Sequence, residues 1–243
     1  QANPDTEILI THGAAHAIFI TMQALLEPGD EVLLIEPFYM PYASSTIIAG
    51  GIPITVKTDP AHGFTIDIEE LSSSITKRSK VLILNSPCNP TGVVLNLNEL
   101  ELISKLAIEH DLYVLCDDVY EKFLYNGLKH KSMATMPNMR DRTITVNSLS
   151  KTFAMTGWRI GYITASAGIL TQILKVLQYS ATCIAPFTQK AAIVALSTPE
   201  IDDYIEMMRK KYFQRSLAGL SEVAKINGIR AMAPQGAFYM MLD

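Results

Sequence analysis

KVLILNSPCNPTG, residues 80–92, begins as an unbroken apolar run and ends in a polar, proline-rich loop. A strand with one wet face alternates apolar with polar residues. A continuous run such as 81–84 instead fits a strand covered on both faces, as in a parallel sheet. The loop carries Asn85 and Asn89, and Pro90 follows the second, which makes the 89–90 bond a candidate for the cis form. Taken alone, the loop reads equally well as a turn closed by Asx hydrogen bonds.

The same design recurs on either side. LYVLCDDVYEKFLY (112–125) runs from an apolar strand into Asp117 and Asp118, with Tyr120 and Glu121 following. Carboxylates at the end of a buried strand are costly unless partnered, so at least one of the two aspartates is expected to face a cation. These acids would offer oxygens to a metal, but no histidine cluster at ligand spacing accompanies them and no metal is expected. TITVNSLSK (143–151) brings Ser148, Ser150 and Lys151 to another strand end, and Arg159 follows in the segment TGWRIGY. PGDEVLLIEPFYMPY (28–42) gives a turn, a buried strand, and then Phe38, Tyr39 and Tyr42, placed where open α/β sheets bind ligands although each also reads as core. EILITHGAAHAIFITMQALLE (7–27) gives a strand, a glycine turn and an apolar helix from near Gly13 toward Leu26. Its first N–H groups, at Gly13, Ala14 and Ala15, suit a phosphate; the alternative is a small-residue turn that lets helix and strand pack closely. GIPITVKTD (51–59) reads as a further strand, DIEELSSSI (67–75) as a short helix capped by Asp67, and LNELELISKLAIEHD (97–111) as an amphipathic helix with Leu100, Ile103, Leu106 and Ala107 on one face.

Strands that alternate with helices, each ending in polar or aromatic residues, describe one wound sheet: a three-layer α/β/α fold with a mostly parallel centre. From Gly168 onward the sequence is largely helical, with a long helix over about 200–225. The turns NGIRAM and PQGAF then lead into a new strand, FYMMLD, expected to open a small α+β domain. The division expected is 1–215 and 216–243. A chain that starts on Gln1 and stops on a strand reads as a piece of a longer protein.

Composition narrows the function classes. Apolar residues make up 49% and charged ones 18%, a balance that supports a large packed core. A net charge of −4 without any Lys/Arg block argues against nucleic acid as the main partner, while a small anion remains compatible. Cys88, Cys116 and Cys183 are odd in number, widely spaced and without a CxxC pair, which fits a reducing cytoplasm. No apolar run reaches the roughly 18 residues of a membrane span, and residues 1–8 lack the features of a signal peptide.

Five segments, THGAAHA, EPFYMPY, NSPCNPTG, CDDVYEKFLY and SLSKTFAMTGWRIGY, together resemble the large domain of the class I/II aminotransferases, enzymes of fold type I that depend on pyridoxal 5'-phosphate. The resemblance spans essentially the whole chain, in the family's order and spacing. It implies an aminotransferase moving an amino group between an L-amino acid and a 2-oxo acid by a ping-pong route, acting as a homodimer. It implies Lys151 as the residue that binds the cofactor aldehyde as a Schiff base and then shuttles the substrate proton. Asp117 would pair with the pyridine nitrogen, Tyr120 and Asn89 would donate to the ring oxygen, and Tyr39 would stack on the ring. Arg159, Ser148 and the turn at Gly13, Ala14 and Ala15 would hold the phosphate, and Ser150 lies in the same motif. Ala15 stands where some aspartate-using relatives carry a lysine, so no dicarboxylate substrate is assigned. The family's substrate-clamping arginine, its closing N-terminal segment and a tyrosine from the neighbouring subunit lie outside this sequence, so the chain alone is expected to turn over poorly. The same residues leave open a related lyase that eliminates from the β or γ carbon, and a regulatory domain that binds without turnover.

Overall fold

Alternate residues of the strands pack into two separate cores. The computed structural model describes residues 2–243. Its strands are β1 (Ile8–Thr11), β2 (Glu31–Ile35), β3 (Ile52–Val56), β4 (Ser79–Asn85), β5 (Tyr113–Asp117), β6 (Thr143–Ser148) and β7 (Gly161–Thr164). Val32, Leu34, Val81, Ile83, Leu115, Ile144 and Val146 face one layer, which contains α1 (Ala14–Leu25), α2 (Pro41–Ile48) and α6 (Ala167–Ser180). Leu33, Leu82, Leu84, Val114 and Cys116 face the other, built on α3 (Ile68–Ser74) and α4 (Leu97–Glu109). Side chains alternate across a strand, so a sheet covered on both faces needs the unbroken apolar runs seen in the sequence.

The strand order is β1-β7-β6-β5-β4-β2-β3. β3, β2, β4, β5 and β6 run parallel, while β7 runs antiparallel to both of its neighbours, β6 and β1. This is the mostly parallel α/β/α sheet expected, with one element the sequence reading passed over: β7, four residues long, in a stretch read only as aromatic and glycine-rich. Asn85, Asp117 and Ser148 end three of the parallel strands on the same edge, and Thr11 at the end of β1 pairs with Gly161.

Local chemistry sets the helix starts. Asp67 accepts from the N–H groups of Glu69 and Glu70 at the head of α3. Asn96 and Glu99 form a reciprocal capping box at the head of α4. In α4, Leu100, Ile103 and Ala107 are buried and Leu106 partly so, as the helical spacing requires. The later helices are α5 (Leu149–Thr152), α7 (Pro186–Ser197) and α8 (Glu200–Val223).

The strand expected at 238–243 does not form as a strand. Only isolated bridges occur, Ala231 with Leu242 and Leu124 with Gly236. Pro234 lacks an N–H for a ladder, and residues 235–237 bond instead to the loops after β4 and β5: Gln235 N–H to Gly92 O at 2.9 Å and Ala237 N–H to Phe123 O at 2.8 Å.

Gly161 makes the site edge of this sheet possible. A Cβ there would lie 2.6 Å from Asn147 O and 2.9 Å from the backbone of Gly13. Neither neighbour is a movable side-chain tip. Gly161→Ala is therefore expected to lower stability by about 1–3 kcal/mol, read as a lower urea midpoint at unchanged slope.

Candidate active site

A cavity of about 200 Å³ opens at the carboxyl ends of the parallel strands. Its wall includes Ala14, Ala15, Tyr39, Asn89, Asp117, Tyr120, Ser148, Ser150, Lys151 and Arg159. Gly13 does not line it but lies immediately behind, where a Cβ would approach Arg159 Nη2 to 2.7 Å. The site residues that the resemblance implies thus line this cavity or lie directly behind it, while Phe38, Asp118 and Glu121 do not line it.

One end of the cavity is acidic and dry. Asp117 is 4% exposed and takes a hydrogen bond from Tyr42 Oη to Oδ2 at 2.8 Å. Burial pushes its carboxyl up to about 6, against the pull of the Tyr42 hydroxyl and the Val119 N–H. Asn85 Nδ2 donates to Asp117 O at 2.7 Å and Asn85 Oδ1 accepts from Asn89 N–H at 2.6 Å, which ties the two strand-end loops together. The Asn89–Pro90 bond is cis. The expectation of a cationic partner is met at the neighbouring residue: Asp118 Oδ2 lies 3.1 Å from His130 Nε2. Burial disfavours the imidazolium, but the hydrogen bond and charge of Asp118 outweigh it and hold His130 above the usual histidine range. Asp117 has a phenol where a cation was expected, and among the described residues no lysine, arginine or histidine reaches ion-pair distance of it.

The opposite end is cationic. Arg159 sits in the left-handed region at φ 50°, ψ 56°. That turn directs its guanidinium to the start of α1, where Nη2 donates to His12 O at 3.3 Å and Nη1 to Thr156 O at 3.0 Å. Gly13 heads α1 at φ 81° and no side chain caps the helix, so the positive end of its backbone dipole is turned to the same place. Ser148 closes this end: its hydroxyl lies 2.9 Å from Ser150 Oγ and 3.0 Å from Ile160 O.

Lys151 projects between the two ends from α5. Among the described residues its Nζ makes no hydrogen bond and no ion pair; it stands over the Phe238 ring, 5.6 Å from the centroid, and its charge draws the Asp117 carboxyl down. Tyr39 stands edge-on to Tyr42 at 5.6 Å between ring centres. Among the described residues no group of three His, Cys, Asp or Glu side chains is placed to hold a metal ion.

Sequence reasoning missed two contributors and the partner of a third. Tyr42, an aromatic that the sequence offers both to a ligand and to the core, is buried in the core and bonds its hydroxyl to Asp117, a pairing the sequence does not reveal. Thr156 and Tyr239 line the cavity, and Tyr239 comes from the far end of the chain, its Oη 2.7 Å from Tyr120 Oη.

Comparison with known proteins gives the family. The family model "Aminotransferase class I and II" matches residues 1–243. An aspartate aminotransferase from Pyrococcus abyssi is 42% identical over 99% of this chain and 61% of its own length. An aromatic-amino-acid aminotransferase 2 from Thermococcus litoralis is 39% identical over 99% and 61%. The structure of an aromatic aminotransferase from Pyrococcus horikoshii superposes with a TM-score of 0.96 at 42% identity, covering 99% of this chain and 64% of that one. The chain spans about three fifths of the length of these relatives. A family match along its entire length, with close relatives in sequence and in fold, places this chain in the class I and II aminotransferase family.

Proposed function

We propose that this chain is the cofactor-binding portion of a pyridoxal 5'-phosphate-dependent aminotransferase that moves an amino group between an L-amino acid and a 2-oxo acid. The observation that carries the reading is a lysine amine without a hydrogen bond or ion pair, held between a buried carboxyl that feels its charge without touching it and an arginine at an uncapped helix start. Those two ends fit a ligand with a protonatable ring nitrogen and a phosphate. When bound, the cofactor supplies an aldehyde that captures amines and a ring that draws electrons from the substrate α-carbon. The residues of the chain do the rest. Asp117 keeps positive charge at the ring nitrogen, and Arg159, Ser148 and the backbone at Gly13, Ala14 and Ala15 hold the phosphate. Tyr120 and Asn89 donate to the ring oxygen, Tyr39 covers one ring face, and Lys151 Nζ carries the proton at the α-carbon.

The same reading makes 1–215 the large domain and 216–243 the beginning of a smaller one, with α8 bridging the two. It also makes the protein a cytoplasmic homodimer. The three cysteines are free, and α7 turns Phe187, Ile193, Val194 and Leu196 outward, an apolar face suited to a second copy. Borohydride reduction of the full-length protein loaded with pyridoxal 5'-phosphate, followed by peptide mass spectrometry, tests the assignment. The pyridoxyl adduct is expected on Lys151; an adduct on any other lysine overturns it.

A further inference from the structure

Tyr239 stands apart from the residues assigned so far, because it reaches the cavity from residue 239 by a segment that is pinned at several points. Gln235 and Gly236 N–H both donate to Gly92 O at 2.9 Å, Tyr125 N–H donates to Gln235 O at 2.9 Å, and the Tyr125 hydroxyl donates to Ala237 O. Val94 N–H donates to Gln235 Oε1 at 2.8 Å. The approach is close enough to exclude side chains: a Cβ on Gly236 would lie 2.6 Å from Phe123 O, and one on Gly92 would lie 2.6 Å from Pro234 Cβ. Ala237 is fully buried at φ 57°, a left-handed conformation that an alanine holds only where its surroundings fix it. This anchoring sets two rings edge-on against Tyr120: Phe238 at 5.3 Å and 88°, and Tyr239 at 5.6 Å and 87°.

We infer, building on the cofactor reading above, that Tyr239 is a positioning residue that donates its hydroxyl proton to Tyr120 and so commits the Tyr120 proton to the cavity. The argument is one of proton count. Two hydroxyls 2.7 Å apart share one of their two protons. If Tyr120 donates to Tyr239, it has nothing left for an acceptor in the cavity. If Tyr239 donates, the remaining proton belongs to Tyr120, which lines the cavity and is 3% exposed. An anionic ring oxygen there selects the second arrangement, and each hydrogen bond in the chain Tyr239 to Tyr120 to ligand polarises the next. Burial holds both phenols above their ordinary range, so both protons are present at neutral pH.

Tyr239→Phe removes one hydroxyl and keeps both edge-on rings. In the full-length protein, pyridoxal 5'-phosphate is expected to dissociate roughly 3- to 10-fold more readily. The pH midpoint of its visible band is expected to rise by roughly 0.5–1 unit, because a ring oxygen with a weaker donor holds a proton more tightly. Tyr120→Phe should shift both readings further, and adding Tyr239→Phe to it should shift neither, since the second hydroxyl acts through the first. Thermal melting of each apoprotein separates these effects from a loss of fold. Wild-type dissociation and midpoint in Tyr239→Phe, or effects that add to those of Tyr120→Phe, overturn this inference and leave the borohydride adduct on Lys151 untouched. A wild-type protein that forms no adduct overturns the cofactor reading and this inference with it.

Discussion

Asp117→Asn is expected to act in opposite directions on stability and on activity. In the unloaded chain, burial raises the Asp117 carboxyl from 3.8 to about 6. The folded state therefore binds the proton more tightly than the unfolded chain does. The neutral carboxyl is favoured, and the stabilisation it brings is fully present below 3.8 and lost as pH rises through about 6. At pH 7 the ionised group burdens the unloaded fold by an amount on the order of 2–3 kcal/mol. An asparagine keeps an oxygen for the Tyr42 hydroxyl and carries no charge. The variant should then be more stable than wild type at pH 7, and the advantage should vanish near pH 4. Urea midpoints of the two unloaded proteins across that range measure it. In the full-length protein the proposed transamination should fall by roughly a hundred- to a thousandfold, since an amide cannot hold positive charge at the ring nitrogen. A variant that gained nothing at pH 7 would show that another group already satisfies the carboxylate. One that kept full activity would remove Asp117 from the proposed chemistry.

Tolerance of an awkward acid at that point is also what made it readable in sequence. A run such as 113–116, in a chain that alternates strands with helices, fits a covered strand, so the polar residue that ends it must be either neutralised or useful. Asp117, Asn85 and Ser148 were all found in this way, and Lys151 by its place just beyond Ser148. The partner of Asp117 was not. Tyr42 is an aromatic in an apolar stretch, 2% exposed and packed in the core on α1 and α6, and nothing local distinguishes a core phenol from one whose hydroxyl meets a carboxylate 75 residues away. β7 escaped for a related reason. Four residues carry little periodicity, and this strand exists because it pairs on both sides at once, Gly161 with Thr11 and with Ser148. Tyr239 lay furthest from reach, since its place depends on backbone bonds to Gly92 and Phe123 that no spacing in the sequence encodes. What was legible is the chemistry carried at strand ends; what was hidden is whatever the folded chain brings to them from elsewhere.

Lys151 is expected to give the largest loss of function, and two substitutions together show why. In the full-length protein, Lys151→Ala should cut the proposed transamination by roughly four orders of magnitude, through loss of both the covalent attachment and the proton carrier. That result alone does not separate chemistry from charge, because the same change removes a cation from a cavity that also contains Asp117. Lys151→Arg does separate them. A guanidinium keeps the positive charge and the place near Phe238, but it stays protonated throughout the working pH range, so it neither attacks an aldehyde nor accepts a proton from carbon. If Lys151 acts by chemistry, the arginine variant is as inactive as the alanine one, while still taking up pyridoxal 5'-phosphate without a covalent link, held by Arg159 and the head of α1. Absorbance after gel filtration measures the uptake, and borohydride treatment should leave no adduct. An arginine variant that kept a tenth of wild-type turnover would reduce Lys151 to a source of field, and the reacting amine would have to be sought elsewhere in the protein.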